Sequence, residues 1–158
     1  MRRAATIGAA VATLTAIGVA VLAQSESDEA SVDGLTFLGD PVTVADISAG
    51  QALYAENCAS CHGAELEGQP DWRRRLDTGR MPAPPHDETG HTWHHSDRNL
   101  FIVTKGGVGA VVPGYESDMP GYADVLSDAQ ISAVLDYIKS TWPEAERRHQ
   151  ADLSQTDR

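Results

Sequence analysis

Apolar positions recur most regularly near the C-terminal end of the chain. Ile131, Val134, Leu135, Ile138 and Trp142 stand at i, i+3, i+4, i+7 and i+11, the stripe of an amphipathic helix. Ser127 opens this helix, Gln130 completes a capping-box pattern, and Pro143 ends it. A second helix is predicted over Ser96–Lys105, capped by Ser96 or Asp97, with Leu100, Phe101 and Val103 apolar and Gly106-Gly107 as the stop. A third starts at Asp46, with Ser48 as cap and a narrow apolar face of Ala49, Ala52, Leu53 and Ala55, and runs into Cys58. Val32–Leu38 alternates weakly, but no stretch alternates for long enough to predict a sheet. Residues 24–45 are acidic, contain Ser and Gly, and are broken by Pro41; they read as a linker over the domain surface. Residues 143–158 read as a charged, frayed tail.

The first residues have a different pattern. Met1-Arg2-Arg3 is a basic start, Ala4 to Ala23 carry no charge, and the chain then turns abruptly acidic at Gln24–Glu29. This is the order of a secretory signal, with Val21-Leu22-Ala23 as a cleavage site. The uncharged run is also just long enough to span a bilayer, so residues 1–23 are either a cleaved signal or an N-terminal membrane anchor. Either places the rest of the chain in the periplasm or another extracytoplasmic compartment.

The remainder, at 158 residues in all, suits one modest domain. A net charge of −11 excludes nucleic acid as a partner. Loss of residues 1–23 would remove Arg2 and Arg3 and leave −13, a field that steers a protein with a basic docking face. Two cysteines are too few for a disulfide scaffold or a four-cysteine zinc site.

Those two cysteines form Cys58-Ala-Ser-Cys61-His62, the C-x-x-C-H attachment pattern of c-type haem. Two thiols three residues apart reach the two vinyl groups on one porphyrin edge and become thioethers. His62, next to the second, is then held against the iron as the proximal ligand. A dithiol redox pair would need a βαβ context, and a plain disulfide would leave His62 without a role. The sixth position decides function. Met119-Pro120 lies just before the last periodic helix, where a loop can cross the distal face, and Met119 is the favoured ligand; Met81-Pro82 is the rival, and a histidine or an open site the remaining choices.

With Gly50, Tyr54, Cys58, Cys61 and His62 at these spacings, a late Met119-Pro120 loop and Tyr137 in the last helix, the chain resembles the class I cytochromes c over Asp46–Trp142. The proline that follows His-Gly in some members is absent here, since Gly63 precedes Ala64. The resemblance implies an all-α fold of short helices and long loops around one covalent haem. In it the first and last helices cross with the glycine of one against the aromatic of the other. It also implies a carrier of single electrons between redox proteins, not an enzyme, with His62 and Met119 on the iron.

The middle segment departs from the simplest members. Four of the six histidines, His86, His91, His94 and His95, fall within ten residues of a proline-rich loop. Arg73, Arg74 and Arg75 form the basic cluster, and one of them, or the Trp93 indole, is a candidate to bind a haem propionate. His91, His94 and His95 also raise the alternative of copper handling, because imidazole suits Cu²⁺. A haem enzyme or sensor with an open sixth site is the other alternative.

Overall fold

A computed structural model describes residues 31–157; the expected signal or anchor over residues 1–23, and the start of the linker, lie outside the described residues. Among the described residues no helix is long and apolar enough to cross a membrane.

Residues 31–43 correct the linker reading. Strand β1 (Ser31–Phe37) pairs antiparallel with β2 (Asp40–Thr43), and Leu35, Phe37 and Val42 are buried in the core. The hairpin turns on Leu38 and Gly39, both at positive φ (53° and 97°), as a tight two-residue turn requires. Leu38 is held in this unfavourable conformation by its amide, which donates to Asp97 Oδ2 at 3.0 Å. The expected all-α architecture therefore holds for the helices but not for this short sheet.

Helix α1 (Val44–Asn57) begins two residues before the expected start. Thr43 is its cap, not Ser48: the Thr43 hydroxyl accepts from the Asp46 amide while the Asp46 carboxylate accepts from the Thr43 amide. Its buried face is Gly50 and Tyr54, flanked by the partly buried Ile47 and Leu53, whereas Ala49, Ala52 and Ala55 face solvent. A one-turn helix, α2 (Ala59–His62), follows directly. Helix α3 (Asp97–Gly106) is capped by Ser96 and stops at Gly107 (φ 77°), and α4 (Asp128–Thr141) has the reciprocal Ser127–Gln130 cap, both as the sequence predicts.

Helices α1 and α4 cross at Gly50. A Cβ there would collide with the backbone carbonyl of Ala133 and press on the Cβ of Tyr137, so only glycine permits the approach. Ile131, Val134, Leu135 and Ile138 fill the core beneath the crossing, with Tyr54 and Trp142.

The segment expected to be a frayed tail is helical over most of its length. Helix α5 (Glu144–Thr156) docks against α3 and the 3₁₀ turn Thr92–His94. Its Gln150 is fully buried, and its amide donates to Asp97 Oδ1 (2.7 Å), the His95 carbonyl (3.2 Å) and Ser154 Oγ (3.1 Å). Asp97 is also ion-paired with Lys139 of α4 at 2.8 Å, and both are buried. Lys139 donates to the Thr36 carbonyl of β1 at 2.6 Å as well. A buried charge pair needs such supporting hydrogen bonds to offset its desolvation. This one ties the hairpin, α3, α4 and α5 together.

Two predictions follow from this packing. Gly50→Ala forces apart the α1–α4 crossing and lowers the unfolding free energy by about 1–3 kcal/mol, read in a denaturant titration. Asp136 of α4 is buried, its Oδ1 has no hydrogen-bond partner, and its carboxyl is pushed up to about 7 by burial and then by the nearby Asp46. Its folded-state value lies above its unfolded one, so its contribution to stability is full below about pH 4 and is lost as pH rises through about 7. Asp136→Asn therefore gains about 2–4 kcal/mol over wild type at pH 8 and little at pH 4, measured by unfolding at both.

Candidate haem site

The attachment motif sits where α1 ends. The Cys58 amide donates to the Tyr54 carbonyl at 2.8 Å and the His62 amide to the Cys58 carbonyl at 2.9 Å, so both thiols and the imidazole lie on one tight helical turn. Cys58 is buried and Cys61 exposed, and both are free thiols. Burial, and then the neighbouring Cys61, push the Cys58 thiol up to about 11. Gly63, at φ 84°, lets the chain leave the turn, and the Tyr54 hydroxyl donates to its carbonyl at 2.9 Å.

His62 is buried and its Nδ1 lies 2.9 Å from the Pro84 carbonyl. A carbonyl only accepts, so Nδ1 carries the proton and Nε2 has a free lone pair. Burial lowers the basicity of the ring, the Pro84 bond partly offsets this, and the imidazole stays neutral as a metal ligand must. A ligating histidine that gives its other N–H to a backbone carbonyl is fixed in tautomer and orientation. The proline-rich loop is held for this task. The Gln69 amide donates to the Ala83 carbonyl (2.9 Å), the His86 amide to the Leu66 carbonyl (2.7 Å), and the Trp142 indole to the His86 carbonyl (2.7 Å). Gly68, at φ 69°, passes so close to Pro84 and Pro85 that a side chain would not fit.

Sequence reasoning missed His86, whose ring stacks on His62 with centroids 4.0 Å apart and planes at 22°. Its Nδ1 donates to Thr92 Oγ1 at 2.9 Å, since that hydroxyl donates onward to the Pro85 carbonyl. Burial holds it well below the ordinary histidine range. Only its place in a histidine-rich loop hinted at a role.

The Met119 loop is brought to the motif by Tyr122. The Tyr122 hydroxyl donates to the Asn57 carbonyl at 2.7 Å, next to Cys58, and its amide donates to the Thr104 carbonyl of α3 at 3.1 Å. Burial, and then the two cysteine thiols, raise the pKa of the phenol. An ion pair between Arg80 and Asp118 also sets the Met81 segment beside the Met119 segment. The donor set fits a covalent haem: two free thiols on one turn, an oriented neutral imidazole, and a thioether on a loop tied to the same turn.

The histidine loop does not form a second metal site. His91 packs on Trp72 and His95, while His94 packs on Trp93 and His149 of α5, so the three rings do not converge. Among the described residues there is no group of three or more histidine, cysteine or carboxylate side chains able to hold a metal ion. The structure lends the copper-handling alternative no support. The Trp93 indole is not free for a propionate either, because it donates to the Glu88 carbonyl at 3.3 Å.

The sequence matches the cytochrome c family model over residues 47–142. It is 34% identical over 108 residues to a cbb3-type cytochrome c oxidase subunit CcoP from Rhodobacter capsulatus, covering 67% of this chain and 33% of that protein. A second CcoP sequence from R. capsulatus is 32% identical over 122 residues, covering 76% and 37%. Cytochrome c-555 of Prosthecochloris aestuarii is 31% identical over 68 residues, 39% of this chain and 69% of that one. The chain thus spans about a third of the length of the oxidase subunits it matches. No solved structure matches it significantly.

Tyr122→Phe removes the hydrogen bond that ties the Met119 loop to α1. It costs about 1 kcal/mol of stability and speeds amide exchange at residues 119–123, both measurable by hydrogen exchange with mass spectrometry.

Proposed function

The chain belongs to the cytochrome c family, and from that premise we propose that it carries single electrons outside the cytoplasm through a haem held by Cys58, Cys61, His62 and Met119. It is an electron-transfer protein with covalently bound haem c. The bound group supplies an iron that cycles between the ferrous and ferric states.

The observation that carries the assignment is the single helical turn holding two free thiols and His62, with Nδ1–H engaged by Pro84 and Nε2 free. Cys58 and Cys61 anchor the group by two thioethers, and His62 takes the proximal position. Met119 would supply the second protein ligand to the iron, a reading supported by Tyr122, which ties its loop to the residue preceding Cys58. A thioether opposite an imidazole raises the reduction potential, and filling both axial positions leaves no place for a small ligand. That combination serves transfer rather than oxygen or peroxide chemistry.

The relatives named CcoP are subunits of a cytochrome oxidase. Their likeness supports a place for this chain in electron delivery to a terminal oxidase. Residues 1–23 supply export, or anchorage to the membrane through residues 4–23.

Visible spectra of the purified holoprotein, oxidised and reduced, test the assignment. The ferric form is expected to show the weak far-red band of a thioether–iron bond, and the ferrous form no shift with carbon monoxide. Met119→Ala should abolish that band, admit carbon monoxide and lower the potential, while Met81→Ala leaves all three unchanged. The reverse pattern would move the ligand to Met81. A wild-type protein that binds carbon monoxide strongly would favour the enzyme or sensor alternative.

A further inference from the structure

Ring stacking and a hydrogen bond lead from His62 towards the surface. His86 stacks on His62 at 4.0 Å. His86 donates from Nδ1 to Thr92 Oγ1 at 2.9 Å, and Thr92 is the chain neighbour of His91. His91 stacks in turn on Trp72, with centroids 5.3 Å apart and planes at 11°, and touches His95 edge-on. Arg73 lies 4.3 Å over the Trp72 ring and donates to the Thr89 carbonyl. A second series of rings leaves His86 through Tyr54 to Tyr137 at the α1–α4 crossing, whereas the route through Thr92 and His91 ends beside the exposed arginines.

The surface where this path emerges is the exception in an acidic protein. Arg73, Arg74 and Arg75 are consecutive and exposed on a chain of net charge −11. Among the described residues none of the three is in a salt bridge, although Asp71 and Asp77 flank them in the chain. Trp72 offers a rigid aromatic centre and the arginines a charged rim, the composition of an interface core and its border. Nothing in the hydrogen bonding of His62 requires this arrangement; a solvated loop would need neither the stacking nor the run of arginines.

We propose that Trp72, His91 and Arg73–Arg75 form a docking face for the acidic surface of a redox partner protein, with His86 linking that face to the iron ligand. The inference rests on the placement of His62 as proximal ligand. One electron passes between the partner's redox centre and the haem iron, with no bond made or broken in this chain. The arginines steer and orient the partner, and the rings shorten the gap the electron must cross. The rest of the molecule repels such a partner, so docking is confined to this face.

Stopped-flow oxidation of the ferrous holoprotein tests this with two one-electron oxidants, anionic hexacyanoferrate(III) and cationic tris(phenanthroline)cobalt(III). The hexacyanoferrate rate should fall as salt is raised, opposite to the trend that net charge dictates. Arg74→Gln with Arg75→Gln should cut that rate by about tenfold at low salt and leave the cobalt rate unreduced. Trp72→Leu should slow hexacyanoferrate at every salt concentration without changing the reduction potential. A hexacyanoferrate rate that rises with salt and is the same in all three proteins would overturn the docking face. An effect of the arginines without one of Trp72 would overturn the aromatic link. Haem content and potential are measured on each variant: a wild-type chain without covalent haem would overturn the assignment of the motif itself, a result separate from either.

Discussion

Helices α1 and α4 cross closely because residue 50 is a glycine, and the position of the haem motif depends on that crossing. Helix α1 ends at Asn57, and the motif continues from it without a joint. Whatever fixes α1 against α4 therefore fixes Cys58, Cys61 and His62. The absence of a side chain at Gly50 brings the Ala133 carbonyl against α1 and lets Tyr54, one turn on, meet Tyr137 with ring centroids 5.5 Å apart. From Tyr54 the chain of dependence runs onward, through its hydroxyl to the Gly63 carbonyl and so to the exit of the motif.

A second organising centre lies away from the haem motif. Lys139 and Gln150 both donate to Asp97 Oδ1 in a buried cluster that also receives the hairpin, through the Thr36 carbonyl and the Leu38 amide. These contacts join elements that flank the haem domain in sequence, β1–β2 before it and α5 after it. Removing one charge would leave the other buried and unpaired, a change that costs about 3–5 kcal/mol in comparable pairs. The cluster thus holds the additions to the domain much as the Gly50 crossing holds its centre.

The parts legible in the sequence were those with local rules. The Ser127–Gln130 cap, the stripe of α4, the Ser96 cap and the C-x-x-C-H turn each follow from residues a few positions apart. The hairpin was hidden because Gly34, at φ 69°, interrupts the register between Ser31 and Thr36 and breaks the two-residue period. Helix α5 was hidden because its burial is polar: Gln150, not an apolar stripe, faces inward. The face of α1 was misread for a related reason, since alanines point to solvent while a glycine is buried. His86 gave no local signal, because its stacking on His62 arises only when residues 24 positions apart are folded together. Pro84 and Trp142 reach the site by equally distant contacts.

The contrast between local and distant contacts also bears on the order of events as the chain matures. The turn that presents the two thiols is closed by hydrogen bonds spanning three or four residues, from Tyr54 to Gly63. Its covering comes from partners far along the chain, with Pro84 reaching His62, Tyr122 reaching Asn57, and Ala133 meeting Gly50. Loops of that length close late and at an entropic cost that the short turn does not bear. A newly made chain can therefore present its two thiols and imidazole in working geometry while most of the protein is still open. Thioether formation then fits the interval before Pro84 and Tyr122 seal the turn, and the sealed domain inherits a haem it would be slow to admit.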